Sequence, residues 1–479
     1  MQYKWVALSN TTLGILMASL DTNIVLIALP TIGHNLPDTS GFDLIWILLG
    51  YQLVTASVLV NFGRLADMFG RVRLYTFGFA IFTAGSALCS MSQSGVELVL
   101  FRMVQAIGAA FLFSNSAAIL TDAFPVTERG KALGVNQVSI VVGSGLGLVL
   151  GGILAPTVGW QSIFWVNIPI GVFATLWSHY KLREVSTLNT GQRLDIIGNV
   201  TFATGLSSVL LAVTIQVLGG REPIPFYDLL GFGLAMLLLF FFAETRVSSP
   251  MLNLSLFRIR QFAAGNTAIL LNSLARGAVT LVLVFYLQGP SMKLDPFTAG
   301  LFLIPNSASI AFFGPISGWL SDRYGARALA TLGLLVSSLG FLLLSYIGRT
   351  VTFPELIAPL VLVGSGMGLF AAPNRASIMN SVPAEERGIA SGVSTTLVNV
   401  GATLSLVVAV SIMATVTPVT SLVLIFLGQG GSVAGSSVDS FVSSIHLVYF
   451  VSTVMLLLAI FPSLLRGASR KSAKPGAPA

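Results

Sequence analysis

One cysteine and three histidines in 479 residues leave the chain short of the side chains that build disulfide frameworks and zinc centres. Cys89 lies inside an apolar run with no second cysteine to pair with, and it leaves the redox compartment open. His34, His179 and His446 are far apart, each near the expected end of an apolar segment. Charge is also scarce, at 9% of residues, and no glycine-rich phosphate loop of the Walker type stands out. These shortages argue against a metal site, an ATP-driven pump and an enzyme, and no bound cofactor is expected. The net charge of +7 does not mark a nucleic-acid face. Its basic residues are spread over short loops, where they set orientation and meet anionic lipid.

What is abundant is apolar: 54% of residues are hydrophobic, and runs of about 18 or more recur along the chain. That composition predicts an all-α polytopic membrane protein. Fourteen transmembrane helices are expected near 5–30, 43–63, 74–92, 97–121, 131–155, 160–181, 196–218, 226–245, 262–288, 297–320, 328–347, 354–374, 388–415 and 442–465. The first is too long for a signal-peptide core and carries Asp21, so it is read as a spanning helix. With the N-terminus in the cytoplasm, only Arg221, Lys293 and Arg349 of the basic residues fall outside. Lys4, Arg64, Arg71, Arg73, Arg129, Lys131 and most others fall inside, which satisfies the positive-inside rule with both termini cytoplasmic.

The sequence contains an internal repeat. Gly63-Arg64-Leu65-Ala66-Asp67-Met68-Phe69-Gly70-Arg71 returns as Gly318-Trp319-Leu320-Ser321-Asp322-Arg323-Tyr324-Gly325-Ala326-Arg327, and Asp67 and Asp322 are 255 positions apart. A second pair, around Pro125 to Gly134 and Pro383 to Gly392, places Arg129 and Arg387 258 positions apart. Two motifs at nearly one offset predict two parallel six-helix halves, each beginning in the cytoplasm, with helices 7 and 8 inserted between them. The expected organisation is an N-terminal six-helix bundle over 1–182, a linker with two extra transmembrane helices over 183–250, a C-terminal six-helix bundle over 251–466 and a disordered, lipid-touching tail over 467–479.

The 63–71 turn resembles the cytoplasmic loop between helices 2 and 3 of the major facilitator superfamily. Within it, Leu20-Asp21-Thr22-Asn23-Ile24-Val25-Leu26-Ile27-Ala28-Leu29-Pro30 resembles the first-helix signature of the fourteen-helix drug:proton antiporter branch, which includes quaternary-ammonium and multidrug exporters. The stretch from Gly159 to Gly171 resembles that branch's sixth-helix signature. The resemblance covers about residues 5–465. It implies the major facilitator fold of two pseudo-symmetric bundles that rock about a central site.

Asp21, Arg102 and Arg276 are the ionisable residues expected well inside the hydrocarbon, where a charge costs at least about 2.5 kcal/mol. Asp21 falls roughly 24 Å of helix rise beyond Trp5, in the outer half of helix 1. Alternating exposure there would let it load and release a proton; the competing reading is a permanent pair with a basic residue, or the cap of a broken helix. Arg102 opens a stretch resembling the superfamily's fourth-helix motif, in which the resemblance implies a part in proton transfer. Its alternative role is to pair with Asp67 in a cytoplasmic latch. Arg276 is the repeat mate of Asp21 and shares a helix face with Asn272, so the two face the cavity as substrate contacts, an outer closure or a plain interhelical bond. Gln52 and Asn306 are further expected cavity residues, with Trp46 and Tyr51 beside them.

Gly63, Asp67, Gly70, Arg71, Asp322 and Arg323 are expected to form a cytoplasmic gate whose charges hold one conformer. The bland alternative is a tight turn. Gly134, Gly143, Gly147, Gly151 and Gly152 match the fifth-helix spacing that the resemblance associates with antiport, except that Leu148 stands where the family pattern has proline. Close packing explains the same glycines, and Gly392, Gly401, Ser405 and Ala409 echo them.

The expected function is a proton-coupled secondary transporter working by alternating access, an antiporter exporting drug-like amphipathic compounds. Its partners are a small-molecule substrate, protons and membrane lipid, and it acts as a monomer in the cell membrane of a prokaryote. A proton-coupled symporter importing a metabolite, and a non-transporting receptor or scaffold, are the alternatives.

Overall fold

A computed structural model describes residues 2–125, 128–185, 195–218, 225–247, 250, 254–382, 387–429, 433 and 435–466. Five long helices come first: α1 (Tyr3–Asn35), α2 (Gly41–Phe69), α3 (Arg71–Ser90), α4 (Gly95–Ala123) and α5 (Arg129–Thr157). The sixth crossing is interrupted, α6 (Ser162–Trp165) being followed by α7 (Asn167–Lys181). Then come α8 (Ile196–Leu218) and α9 (Phe226–Glu244), and a crossing in two pieces, α10 (Arg260–Arg276) and α11 (Val279–Gln288). The remaining crossings are α12 (Pro296–Tyr324), α13 (Ala326–Leu344), α14 (Phe353–Met379), α15 (Arg387–Val416) and α17 (Gly435–Leu465). Between the last two lies a short helix, α16 (Val419–Phe426), in the stretch expected only to connect them.

Among the described residues, thirteen segments are long and apolar enough to span a membrane, and α6 with α7 supplies a further crossing in two pieces. The chain is thus an integral membrane protein with fourteen crossings, and both termini lie on one face. The sequence reading treated 160–181 and 262–288 as unbroken. The structure breaks them at Val166 and at Gly277–Ala278, the second where glycine lowers helix propensity.

The repeated turn explains itself locally. Gly70 and Gly325 take φ of +108° and +87°, a region that favours glycine, and their N–H groups bond to Ala66 O and Ser321 O. Each closes one helix and opens the next with no intervening loop. Opposite, Ser40 and Asp43 form a reciprocal capping box at the start of α2, with bonds of 2.9 and 3.1 Å.

Helices α1 to α7 pack chiefly on one another, as do α10 to α15 with α17, and α8 and α9 form a pair leaning on α2 and α15. The two halves meet most extensively where α5 runs beside α12 and α2 beside α15. This seam is tight on the face away from the termini. A Cβ at Gly152 would stand 2.6 Å from Pro296 O, one at Gly300 2.7 Å from Leu148 O, and one at Gly428 2.7 Å from Pro30 O. Gln288 Nε2 also donates to Ile27 O at 2.8 Å. Toward the terminal face the same helices diverge: a Cβ at Gly134, Gly145, Gly314 or Gly318 would meet at most one atom within 4 Å, at 3.9 Å. The halves thus meet backbone to backbone on the far face.

Candidate functional site

Asp21 of α1 is fully buried and accepts from three side chains on two other elements. Arg102 Nη1 of α4 donates to Asp21 Oδ2 at 2.5 Å, while Gln105 Nε2 and Asn167 Nδ2 each donate to Oδ1 at 2.8 Å. Gln105 is held in turn by Ser86 Oγ at 2.7 Å and accepts from Arg102 Nη1 at 2.5 Å. The guanidinium lies over the Tyr51 ring, 4.2 Å from its centroid. A charge pair in hydrocarbon needs its remaining valences satisfied; the two amides and the ring supply most of these, while Arg102 Nε is left buried without a partner. Only donors face the Asp21 carboxyl, which fits the ionised form. A proton placed there would displace one of them.

The two charges were legible in the sequence, but not their partnership. Asp21 is bound to Arg102 rather than facing Arg276 across the cavity, and Arg102 is bound to Asp21 rather than to Asp67. Gln105 and Asn167 went unnoticed. Gln105 follows Arg102 by three positions, hence on the same helix face. Asn167 opens α7 directly after the break at Val166, which turns its amide toward α1.

On the terminal face, Arg71 bridges Asp67, from Nε at 2.7 Å, and Asp122 at the end of α4, from Nη1 at 2.8 Å. Glu184 accepts from the Arg71 and Val72 N–H groups at 3.0 Å, where the N-terminus of α3 favours an anion. Lys4 reaches Glu128 at 2.7 Å. These bonds tie helix ends within the first half, so in this conformation the turn braces its own bundle. The side chains of Asp322 and Arg323 lie outside the described residues.

The glycines of α5 divide by the neighbour they admit. Cβ atoms at Gly143, Gly147 and Gly151 would stand 2.6, 2.5 and 2.7 Å from the backbone oxygens of Leu16, Leu20 and Ile24 on α1. Gly152 instead faces α12 across the seam. The structure therefore gives this series the close-packing role, and Leu148, in place of a proline, lends its carbonyl to the contact with Gly300. The echo in α15 works alike: Gly401 packs on Ser273, Gly277 on Ala402, and Ser405 Oγ accepts the Ala278 N–H freed by the break at 3.0 Å.

The expected cavity residues of the second half are less satisfied. Asn272 Nδ2 reaches only the Met367 sulfur, at 3.6 Å, and its Oδ1 has no partner. Arg276 Nε and Asn306 Oδ1 are likewise enclosed without one. Gln52 is not free in the cavity. Its Oε1 accepts from Thr403 of α15 at 3.4 Å, across the seam.

A further cluster was missed. Arg64, within the repeated turn motif, lies among Asp195 ahead of α8 and Glu244 at the end of α9, both buried, and donates to Pro250 O at 2.5 Å. Asn199 of α8 donates to Ser57 O of α2. Both of these polar anchors of the inserted pair, Arg64 and the Ser57 carbonyl, lie on α2. Asp195 and Glu244 sit at element ends, where periodicity gives no cue.

A profile of the Major Facilitator Superfamily matches residues 11–406 and 266–479. Riboflavin transporter RibZ of Clostridioides difficile (strain 630) is 33% identical over 396 residues, covering 81% of this chain and 83% of that one. Multidrug resistance protein Stp of Mycobacterium tuberculosis (strain CDC 1551 / Oshkosh) is 32% identical over 411 residues, covering 85% and 76%. A bacterial homolog of the human lysosomal transporter Spinster, solved inward-facing and unoccupied, superposes with a TM-score of 0.66 over 97% of both chains at 16% identity, a likeness of fold.

Proposed function

The chain belongs to the Major Facilitator Superfamily, and from that membership we propose that it exports amphipathic small molecules in exchange for protons. That it is a membrane transporter of small molecules, and not an enzyme, follows from its relatives. The proton gradient is its energy source, with no cofactor, and the working unit is the monomer in a bacterial cell membrane. The terminal face is cytoplasmic.

The observation that carries this reading is the buried Asp21–Arg102 pair with its two amides. In this conformation the Asp21 carboxyl is engaged by donors alone, the arrangement expected after a proton has been released inward. Protonation from outside would neutralise Asp21 and free Arg102, so that α1 and α4 exchange one bonding pattern for another as the halves rock. Asp67, Arg71 and Asp122 stabilise the cytoplasmic ends during that exchange, and Asp322 and Arg323 do so in the second half. The α1–α5 glycine contact lets the two helices move as one body.

Proteoliposomes under an imposed pH gradient test the proposal. Proton movement opposite to a fluorescent amphipathic drug, lost in Asp21→Asn while the protein stays in the membrane, is the expected result. The RibZ relationship favours one rival, a metabolite carried together with protons. Movement of both in one direction would establish it, and absence of any flux would leave a receptor.

A further inference from the structure

The charges of the two halves are not balanced alike. Asp21 is consumed by Arg102. Its repeat mate Arg276, by contrast, is in none of the ion pairs among the described residues. The second half offers no counter-charge at that depth: its carboxylates, Asp295, Asp322, Glu355, Glu385, Glu386 and Asp439, all fall near or between helix ends in the sequence. One turn before Arg276, Asn272 is 3% exposed with its Oδ1 unpartnered and its amide on a thioether, a weak acceptor. Arg276 is partly buried, with its Nε enclosed and unpartnered, and the Asn272 Nδ2 has only a thioether to donate to, so both side chains have donors left for an acceptor. The α10 C-terminus contributes about half a negative charge, which is short of a full guanidinium. The break at Gly277–Ala278, fixed by Ser405, holds Arg276 at the last position of α10.

We propose that Arg276 and Asn272 form an acceptor-binding subsite of the cargo cavity, and that the cargo bears an anionic group, a carboxylate, sulfonate or phosphate, on an apolar body. This rests on the transporter reading above and narrows its cargo class. The guanidinium fork takes two oxygens of the anion, and the Asn272 amide can turn from Met367 to the third oxygen of a sulfonate or phosphate, or to a second lone pair of a carboxylate oxygen. Asp21 plays no part in this contact, so cargo charge and proton coupling reside in different halves.

The test is equilibrium binding to the full-length protein in lipid nanodiscs, with empty discs subtracted and no pH gradient. The probes are 1-anilinonaphthalene-8-sulfonate and N-phenyl-1-naphthylamine, which share a ring system and differ in the sulfonate. The sulfonate probe is expected to bind more tightly. Arg276→Gln should weaken it by about tenfold to a hundredfold, the range of a lost charge-assisted bond, with the neutral probe unaffected. Arg276→Lys, which keeps the charge and the fold but loses the fork, should fall between. Equal affinity for both probes, or an unchanged sulfonate affinity in Arg276→Gln and Arg276→Lys, overturns the subsite. Competitive displacement of the sulfonate probe by chloride at matched ionic strength would assign the site to a free inorganic anion and overturn the cargo assignment. Because binding is read at equilibrium on the parent and the Arg276 variants with no pH gradient, a failure of proton coupling would leave this result readable.

Discussion

Replacing Asp21 with asparagine strips the counter-charge from a guanidinium that is 1% exposed. The new amide still offers one acceptor oxygen, but its NH2 would confront the donors of Gln105 or Asn167. Arg102 would then be a buried cation over Tyr51 with only neutral acceptors, the new amide oxygen and Gln105 Oε1. Removing one partner of such a pair costs about 3–5 kcal/mol, whereas replacing both is often close to neutral. Asp21→Asn with Arg102→Gln should therefore recover most of the stability lost by Asp21→Asn alone, to within about 1 kcal/mol of the parent. Unfolding in mixed micelles against SDS mole fraction ranks the three proteins, and the expected order is parent and double variant together, the single variant below. The double variant should still lack proton-driven transport, separating the energetic role of the pair from its coupling role. A single variant as stable as the parent, or a double variant less stable than the single, would refute the pairing argument.

The α5 glycines separate stability from conformation. Gly147→Ala forces a Cβ to 2.5 Å from Leu20 O within one half and should lower stability by about 1–3 kcal/mol in the same unfolding assay. Gly152→Ala intrudes between the halves, so it should leave unfolding nearly unchanged and shift the population toward the outward-open form, read by spin-label distances across the far face. On the terminal face, Asp67→Asn removes one of two partners of a partly exposed Arg71, a pair worth at most about 1 kcal/mol. That is enough to move a balanced equilibrium several-fold, and labelling of single cysteines placed on both faces of a Cys89→Ser background should report it. Unaltered labelling would remove the turn from the gating machinery.

Much of this architecture was readable before any coordinates. The repeated turn announces itself because glycine at positive φ cannot easily be replaced, and because a charged cluster between apolar runs has one place to go. Buried Asp21 and Arg102 are visible as anomalies of composition. Their partnership is not, since it depends on how α1, α4 and the broken sixth crossing face one another, and the repeat offset pointed from Asp21 to Arg276 instead. The break after Arg276 was written in Gly277, yet a single glycine is tolerated in many helices; here Ser405, far along the chain, accepts the N–H that the break frees. The cluster around Arg64 was hidden because its two acids lie at element boundaries, where no period applies.

The far-face closure has one more consequence. Among the described residues it is made of backbone against backbone, at Gly152, Gly300 and Gly428, with no ion pair joining the halves there. On the terminal face, ion pairs that solvent reaches instead tie helix ends within the first half. Dissolved salt screens the second kind of contact over a length of about 10 Å and leaves the first almost untouched. The two ends of the molecule therefore differ in what the medium can do to them: ionic strength should loosen how the helix ends of the first half are tied together on the terminal face, while the contact between the halves on the far face answers to packing and to the Gln288 hydrogen bond.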